Sequence, residues 1–254
     1  MGTGEVLAVL AAGFGAGVLN TVVGSGTLLT FPILVSIGIP PIQANIANNI
    51  GLAPGSISGA VGYRSELTGP AWRVIACCAA AAGGGALGAI LLFLLPDKTF
   101  ESIVPWLIGV AVLLIAVQPV VSKWLPKNQE PAQRPSRGKS TLLIVSVFLA
   151  SVYGGYFGAA QGVILIAVMS LLMEQSLQAI NALKNLLQGV DNLVSALLYI
   201  SISQVDWLIV ALLGSGSIIG GQVGALVAKR VPDAWFRIAI VIVGMVGLVV
   251  FVGN

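Results

Sequence analysis

Long apolar runs separated by short polar breaks dominate this chain. Residues 141–173 and 235–252 are two of these runs, and each is long enough to cross a hydrocarbon core of about 30 Å as a helix. A backbone inside lipid must satisfy its own hydrogen bonds, and the runs lack the alternating pattern of barrel strands. The pattern therefore predicts an all-α integral membrane protein.

Polar residues and prolines divide the runs into two similar sets, each with one long segment followed by three helices. The predicted segments are 5–37, 42–63, 70–95 and 99–122 in the first set, and 141–173, 178–200, 206–229 and 235–253 in the second. The polar stretch 123–140 between them is predicted to be a flexible linker. The chain then divides into an N-terminal repeat (1–122), the linker (123–140) and a C-terminal repeat (141–254).

The two sets also match residue by residue. The stretch GGALGAILLFLLPDKTF at 84–100 recurs as GGQVGALVAKRVPDAWF at 220–236, an offset of 136 residues. Its glycines, in the pattern GGxxGA, predict close packing between helices. A duplicated apolar half is the usual construction of a secondary transporter, whose substrate binds where the two copies meet.

Charges in the loops predict that the repeats are inverted. The linker, the loop at 229–237 and the loop near Arg64 and Arg73 are rich in Lys and Arg and are expected in the cytoplasm. The loops near Asp97 and Asp206 lack this excess and are expected outside. Helices 178–200 and 206–229 supply two crossings between two cytoplasmic loops, so 141–173 must enter and leave from one face as a hairpin. Segment 5–37 should do the same from the other face, with both termini external.

Composition places the chain in a bilayer and argues against several functions. It is 57% hydrophobic and 8% charged, with mean hydropathy +1.01, whereas a soluble domain has roughly 25% charged residues. The net charge of +3 is interpreted as topology anchors, so no nucleic-acid partner is expected. The sequence has no His, and the adjacent Cys77 and Cys78 make a poor metal pair. No phosphate-binding loop or dinucleotide fingerprint is present, so neither an enzyme nor a cofactor is predicted.

Polar side chains are sparse, and they gather at equivalent places in the two sets: in each hairpin and at the start of the next helix. Such clustering inside apolar segments predicts a binding site. The candidate substrate-binding residues are Asn20, Ser25, Gln43, Asn45, Asn48 and Asn49 in the first set, and Gln161, Asn181, Lys184, Asn185 and Gln188 in the second. The spacing of Asn181, Lys184, Gln188 and Asp191 places them on one helix face.

Lys184 is the most informative of these residues, because an unpaired ammonium inside an apolar helix is costly. It binds an anionic substrate together with Asn amides and hairpin N–H groups, or it pairs with Asp191 through Gln188, or it reaches the interface by snorkelling. Asp191 is the candidate group for proton coupling, with a structural role beside Lys184 as the alternative. The sequence leaves these alternatives open.

Four stretches resemble the TauE/SafE (TSUP, sulfite exporter) family of membrane transporters. They are VGSGTLLTFPIL at 23–34, GIPPIQANIANN at 38–49, GGYFGAAQGVILIAVMSLL at 154–172 and LQAINALKN at 177–185. The resemblance implies passage of small sulfur-containing anions such as sulfite, sulfoacetate or other organosulfonates, through a site built by the two hairpins and the helices after them. The second hairpin departs from the pattern, because AAQG stands where the first has VGSG and so places Gln161 in the turn.

Together these features predict a prokaryotic inner-membrane secondary transporter that exports an organosulfonate or sulfite by alternating access. Its expected partners are a small anion, a proton as a second ligand, and the lipid bilayer, and a homo-oligomer is left open. The alternatives are a passive anion channel and a non-transporting structural membrane protein.

Overall fold

The computed structural model describes residues 1–124 and 137–228, and the isolated residues 238, 241, 242 and 245. This part is helical and contains no strand, so the predicted all-α class is confirmed. The helices are α1 (Thr3–Val22), α2 (Thr27–Ser36), α3 (Pro41–Gly62), α4 (Ala71–Leu94), α5 (Asp97–Trp124), α6 (Arg137–Tyr156), α7 (Gln161–Leu172), α8 (Leu177–Ile202) and α9 (Trp207–Val227). Most of the predicted linker and of helix 235–253 lies outside the described residues.

Length and hydropathy together separate five outer helices from the rest of the described chain. Among the described residues, five helices (α1, α4, α5, α6 and α9) are long and apolar enough to span a bilayer. Large apolar side chains such as Leu94, Trp106 and Leu226 are at least 70% exposed, as expected for surfaces that face lipid. Helices α3 and α8 each carry several buried polar side chains and lie between these outer helices.

Both predicted hairpins are present. In the first, the chain turns back after α1, so that Gly26 packs against Ala16 and Gly15 against Leu29. In the second, α7 runs back along α6, and Lys139 pairs with Glu174 at the open end, 3.5 Å apart. Since α6 begins at Arg137, the last residues of the predicted linker are helical. The short helices α2 and α7 are too short to cross the bilayer alone.

The two GGxxGA stretches hold each hairpin against a helix of the other set. Gly84 and Gly88 on α4 contact the backbone of α6, and Gly220 and Gly224 on α9 contact the backbone of α1. A side chain at these positions would collide with main-chain atoms that cannot move aside. The predicted packing role of these glycines is confirmed. Because α4 packs on α6 and α9 packs on α1, the two sets of helices are interlocked.

Contacts along the helices give their relative directions. Gly51 of α3 lies against Leu213 of α9, and Gly62 of α3 against Ala225, so α3 and α9 are parallel. Ser56 of α3 pairs with Asn192 of α8, while Tyr63 lies beside Asn181, so α3 and α8 are antiparallel. Helices α3 and α8 occupy the same position in the two sets, yet they run in opposite directions.

Candidate functional site

The turns of the two hairpins meet inside the protein. The backbone N–H of Gly162 donates to the carbonyl of Gly24 at 3.0 Å. Gly24 has φ +86°, a left-handed conformation that favours glycine, and a Cβ added to it would strike the Gly162 backbone. Because α2 begins at Thr27 and α7 at Gln161, the N-terminal ends of both short helices converge here, and their dipoles make the region electropositive.

A polar pocket lies where these helix ends meet. Its walls come from both sets, on α1, α2, α3, α7, α8 and the turn before α7. The lining residues are Asn20, Thr27, Asn48, Asn49, Leu52, Phe157, Gly158, Gln161, Gln188 and Asn192. Amide and hydroxyl groups predominate in this lining and none of these side chains carries a charge.

Some of the lining amides are occupied in holding the walls together. Asn48 donates to the Thr27 hydroxyl at 3.1 Å and accepts a hydrogen bond from Thr30, which ties α3 to the first turn of α2. Ser56 accepts hydrogen bonds from Asn20 and Asn192, each at 2.9 Å. These contacts fix the pocket's shape.

Other lining amides remain available to a ligand. The side chain of Asn49 makes no hydrogen bond to another described residue, and its Oδ1 is buried without a partner among them. Gln188 donates to Asn20 over a long 3.3 Å, and its Oε1 has no partner among the described residues. Because buried polar groups are normally hydrogen-bonded, Asn49 and Gln188 are the side chains best placed to bind a ligand.

Lys184 lies behind the pocket wall. It is fully buried, which rules out the snorkelling alternative for this conformation. Its ammonium donates to the backbone carbonyls of Asn20 at 3.0 Å and Thr21 at 2.9 Å, at the C-terminal end of α1. Carbonyls at a helix end lack partners within the helix, and a cation there complements the dipole. The positive charge therefore caps α1, and Asn20 alone separates it from the pocket at this point.

The end of α6 has a comparable cap without a charge. The side-chain amide of Asn45, on α3, donates to the Tyr156 carbonyl at 2.9 Å. Asn185 adds a 3.3 Å bond to the Thr21 carbonyl at the end of α1. Each interrupted helix is thus capped by the long polar helix of the other set.

Asp191 faces away from the pocket, into the packing between α4, α6 and α8. The amide of Gln161 donates to its Oδ2 at 2.6 Å. The direct partner of Asp191 is therefore Gln161, the first residue of α7, and Gln161 itself lines the pocket.

The structure brings together five of the candidate residues named from sequence, and places the others elsewhere. The pocket contains Asn20, Asn48, Asn49, Gln161 and Gln188. Lys184, Asn185 and Asn45 cap helix ends, and Asn181 donates to the Tyr63 hydroxyl at 3.5 Å. Ser25 is buried in the first hairpin turn, and Gln43 is exposed at the start of α3.

Two lining residues with polar side chains, Asn192 and Thr27, were absent from that selection. Asn192 follows Gln188 by one helical turn, so the same face pattern that selected Gln188 also points to it. Thr27 directly follows the glycines of the first turn and begins α2. A hydroxyl residue directly after a glycine-rich helix break could have identified Thr27 as a candidate from the sequence.

Comparison with known proteins supports the predicted resemblance. A family model described as "Sulfite exporter TauE/SafE" matches residues 9–251. A "Probable membrane transporter protein" of Haemophilus influenzae is 26% identical over 94% of this chain and 91% of its own length. A "Probable membrane transporter protein YfcA" of Escherichia coli K12 is 25% identical over 91% of this chain and 83% of its own. With the apolar helices, these matches identify a multi-pass membrane protein.

Proposed function

Because the chain belongs to the TauE/SafE sulfite exporter family, we propose that it is a secondary transporter that exports small sulfur-containing anions, either sulfite or an organosulfonate such as sulfoacetate. The observation that carries the proposal is the pocket between the two hairpin turns, where α2 and α7 both begin. The N-terminal end of a helix carries the positive end of the helix dipole and therefore attracts anions. The proposal assigns the chain no enzymatic activity.

Within the pocket, the anion is held by neutral donors. Asn49 and Gln188 supply amide N–H groups that protein partners leave free or weakly bonded, and Thr27 supplies a hydroxyl. Lys184 contributes positive potential from behind Asn20 without contacting the anion. Such a site binds a small anion weakly enough to release it, because the nearby positive charge of Lys184 is bonded to backbone carbonyls and forms no ion pair with the anion.

Alternating access would use the two hairpins as opposing gates. The antiparallel directions of α3 and α8 support an inverted arrangement of the two sets, with the pocket between them. In the proposed topology, the chain lies in a prokaryotic plasma membrane with the segment between α5 and α6 in the cytoplasm.

Transport itself is tested with the purified full-length protein in proteoliposomes. We expect saturable efflux of sulfite or sulfoacetate and counterflow when unlabelled anion is placed on the opposite side. Gln188→Leu should weaken the apparent affinity by about 10-fold or more, because a hydrogen bond to a charged group contributes about 1.5–3 kcal/mol.

Gln178→Leu is the matched control, since Gln178 is an exposed amide on the same helix and its loss should leave flux unchanged. Fast flux that never saturates would indicate a channel instead of a carrier. No flux of any tested anion would contradict the proposed function.

Topology is tested by cysteine labelling in a background in which Cys77 and Cys78 are alanine. Ser65→Cys lies in the loop after α3 and Gln204→Cys in the loop after α8, and both native side chains are exposed. A membrane-impermeant maleimide added to intact cells should label position 204 and spare position 65 until the membrane is opened. Labelling of both from one face would rule out the inverted arrangement.

A further inference from the structure

Asp191 occupies a slot made by two glycines. Its side chain is fully buried on α8. A Cβ added to Gly85 of α4 would strike Oδ1, and one added to Gly154 of α6 would strike Oδ2. Gln161 donates to Oδ2, whereas Oδ1 has no hydrogen-bond partner among the described residues. The carboxyl group is therefore enclosed, half-satisfied and without a neutralising partner on the oxygen that faces Gly85.

Gln161 connects this slot with the anion pocket. It is the first residue of α7, lines the pocket, and donates its amide N–H to Asp191. The N–H₂ group has two donor hydrogens, and the bond of one of them to Asp191 fixes the direction in which the other one points. The state of Asp191 therefore decides what Gln161 offers to the pocket.

Resting on the proposed function, we propose that Asp191 is a proton-binding site that controls anion affinity through Gln161. In the ionised state, the carboxylate holds the Gln161 N–H₂. A hydronium ion gives its proton to the carboxylate and becomes water; the carboxyl group gains an O–H bond, becomes neutral and turns from acceptor to donor. The Gln161 amide then turns over, accepts this O–H at its oxygen, and directs its N–H₂ toward the anion. Proton and anion bind together.

The surrounding groups favour a proton over a metal cation as the ligand of this slot. A metal cation requires several oxygen ligands, whereas the slot presents an amide N–H₂ and glycine Cα groups. The nearby Ser195 hydroxyl is already bonded to the Gly85 carbonyl, at 3.1 Å. No cluster of three His, Cys, Asp or Glu residues suited to a metal occurs in the described part of the chain.

The ionisable groups nearest to Asp191 are engaged elsewhere. Tyr199, two turns along α8, lies within electrostatic range of the carboxyl group and hydrogen-bonds the Gly155 carbonyl. Lys184, two turns in the other direction, is bonded to the carbonyls at the end of α1. The other elements that pack against the carboxyl group face it with Gly85, Gly154 and Gln161, and Tyr156 interacts electrostatically with Tyr199.

The test measures sulfoacetate affinity of the full-length protein in detergent across the pH range in which it stays folded. Sulfoacetate is chosen because its charge is constant over neutral pH, unlike that of sulfite. The wild-type affinity should rise at least severalfold as the pH falls. Asp191→Asn, whose amide mimics the neutral donor, should bind at every pH with the affinity that the wild type reaches at low pH.

Infrared spectroscopy gives a second readout that needs no ligand. The C=O band of a protonated buried carboxyl group should grow as the pH falls in the wild type and be absent from Asp191→Asn. Gln161→Leu should keep this band and lose the pH dependence of sulfoacetate binding. These outcomes support the proposal.

Three results would overturn it. Wild-type pH dependence retained in Asp191→Asn, or pH-independent binding in the wild type, would overturn the coupling and leave the proposed function intact. Absence of binding of sulfoacetate and sulfite at every pH, in both proteins, would overturn the proposed function and the coupling with it.

Discussion

Replacing Lys184 with methionine should lower the melting temperature of the purified protein markedly. Methionine fills a similar volume but leaves the carbonyl of Asn20 without its ammonium donor and weakens the capping of Thr21. Hydrogen bonds to charged groups contribute about 1.5–3 kcal/mol each, so we expect a loss of about 3 kcal/mol or more. For a chain of this size that corresponds to roughly 6–12 °C, measured by thermal unfolding in detergent.

Two further variants show whether loss of the α1 cap causes the lower stability of Lys184→Met. Lys184→Arg keeps a permanent cation and several donors, so it should recover much of the stability. Asn45→Leu removes the neutral cap of α6 and should cost less than Lys184→Met, because a neutral hydrogen bond contributes only about 1 kcal/mol. If Lys184→Met instead melts like the wild type and fails to bind anion, the ammonium is a direct ligand and the capping role is wrong.

The boundaries of the helices could be predicted because bilayer thickness limits the length of each apolar run. The segment predicted at 178–200 is α8, Leu177–Ile202, and the segment predicted at 70–95 is α4, Ala71–Leu94. The breaks inside the hairpins could also be predicted, since dense glycine followed by a new apolar run weakens a continuous helix. Both signals are local, so the sequence displays them.

The partner of Lys184 could not be predicted in the same way. Its acceptors are backbone carbonyls more than 160 residues away in the chain, and every residue type supplies a carbonyl. The sequence showed a costly buried charge and suggested an anion or Asp191 to balance it. A helix C-terminus with unpaired carbonyls balances it equally well, and only the arrangement of α1 against α8 brings that end within reach.

Gln161 shows an intermediate case. Its departure from the glycine pattern of the first hairpin was visible in the sequence as an amide where the second hairpin turns, and in the structure it is the first residue of α7. Its partner Asp191 lies 30 residues further along the chain, and the glycines that make room for the carboxyl group belong to two other helices. The unusual residue was thus predictable, whereas the slot that explains it depends on the packing of α4, α6 and α8.

Gly24→Ala should abolish transport. The residue has φ +86° and its added Cβ would strike the Gly162 backbone, so the two hairpin turns must separate and lose the 3.0 Å bond between them. Left-handed strain of about 1–2 kcal/mol and overpacking of about 1–3 kcal/mol predict a stability loss of about 2–5 kcal/mol. Proteoliposome flux and thermal unfolding measure the two effects on one preparation.

Gly38→Ala separates the contact from the backbone strain. Gly38 has nearly the same conformation, with φ +89°, but an added Cβ meets no atom within 4 Å. It should therefore show the strain of about 1–2 kcal/mol alone, and its flux should stay close to that of the wild type. Equal loss of flux in the two variants would mean that the meeting of the hairpin turns is not required, because backbone strain is what they share. A larger loss in Gly24→Ala would trace the transport defect to the contact between Gly24 and Gly162, where the two hairpin turns meet.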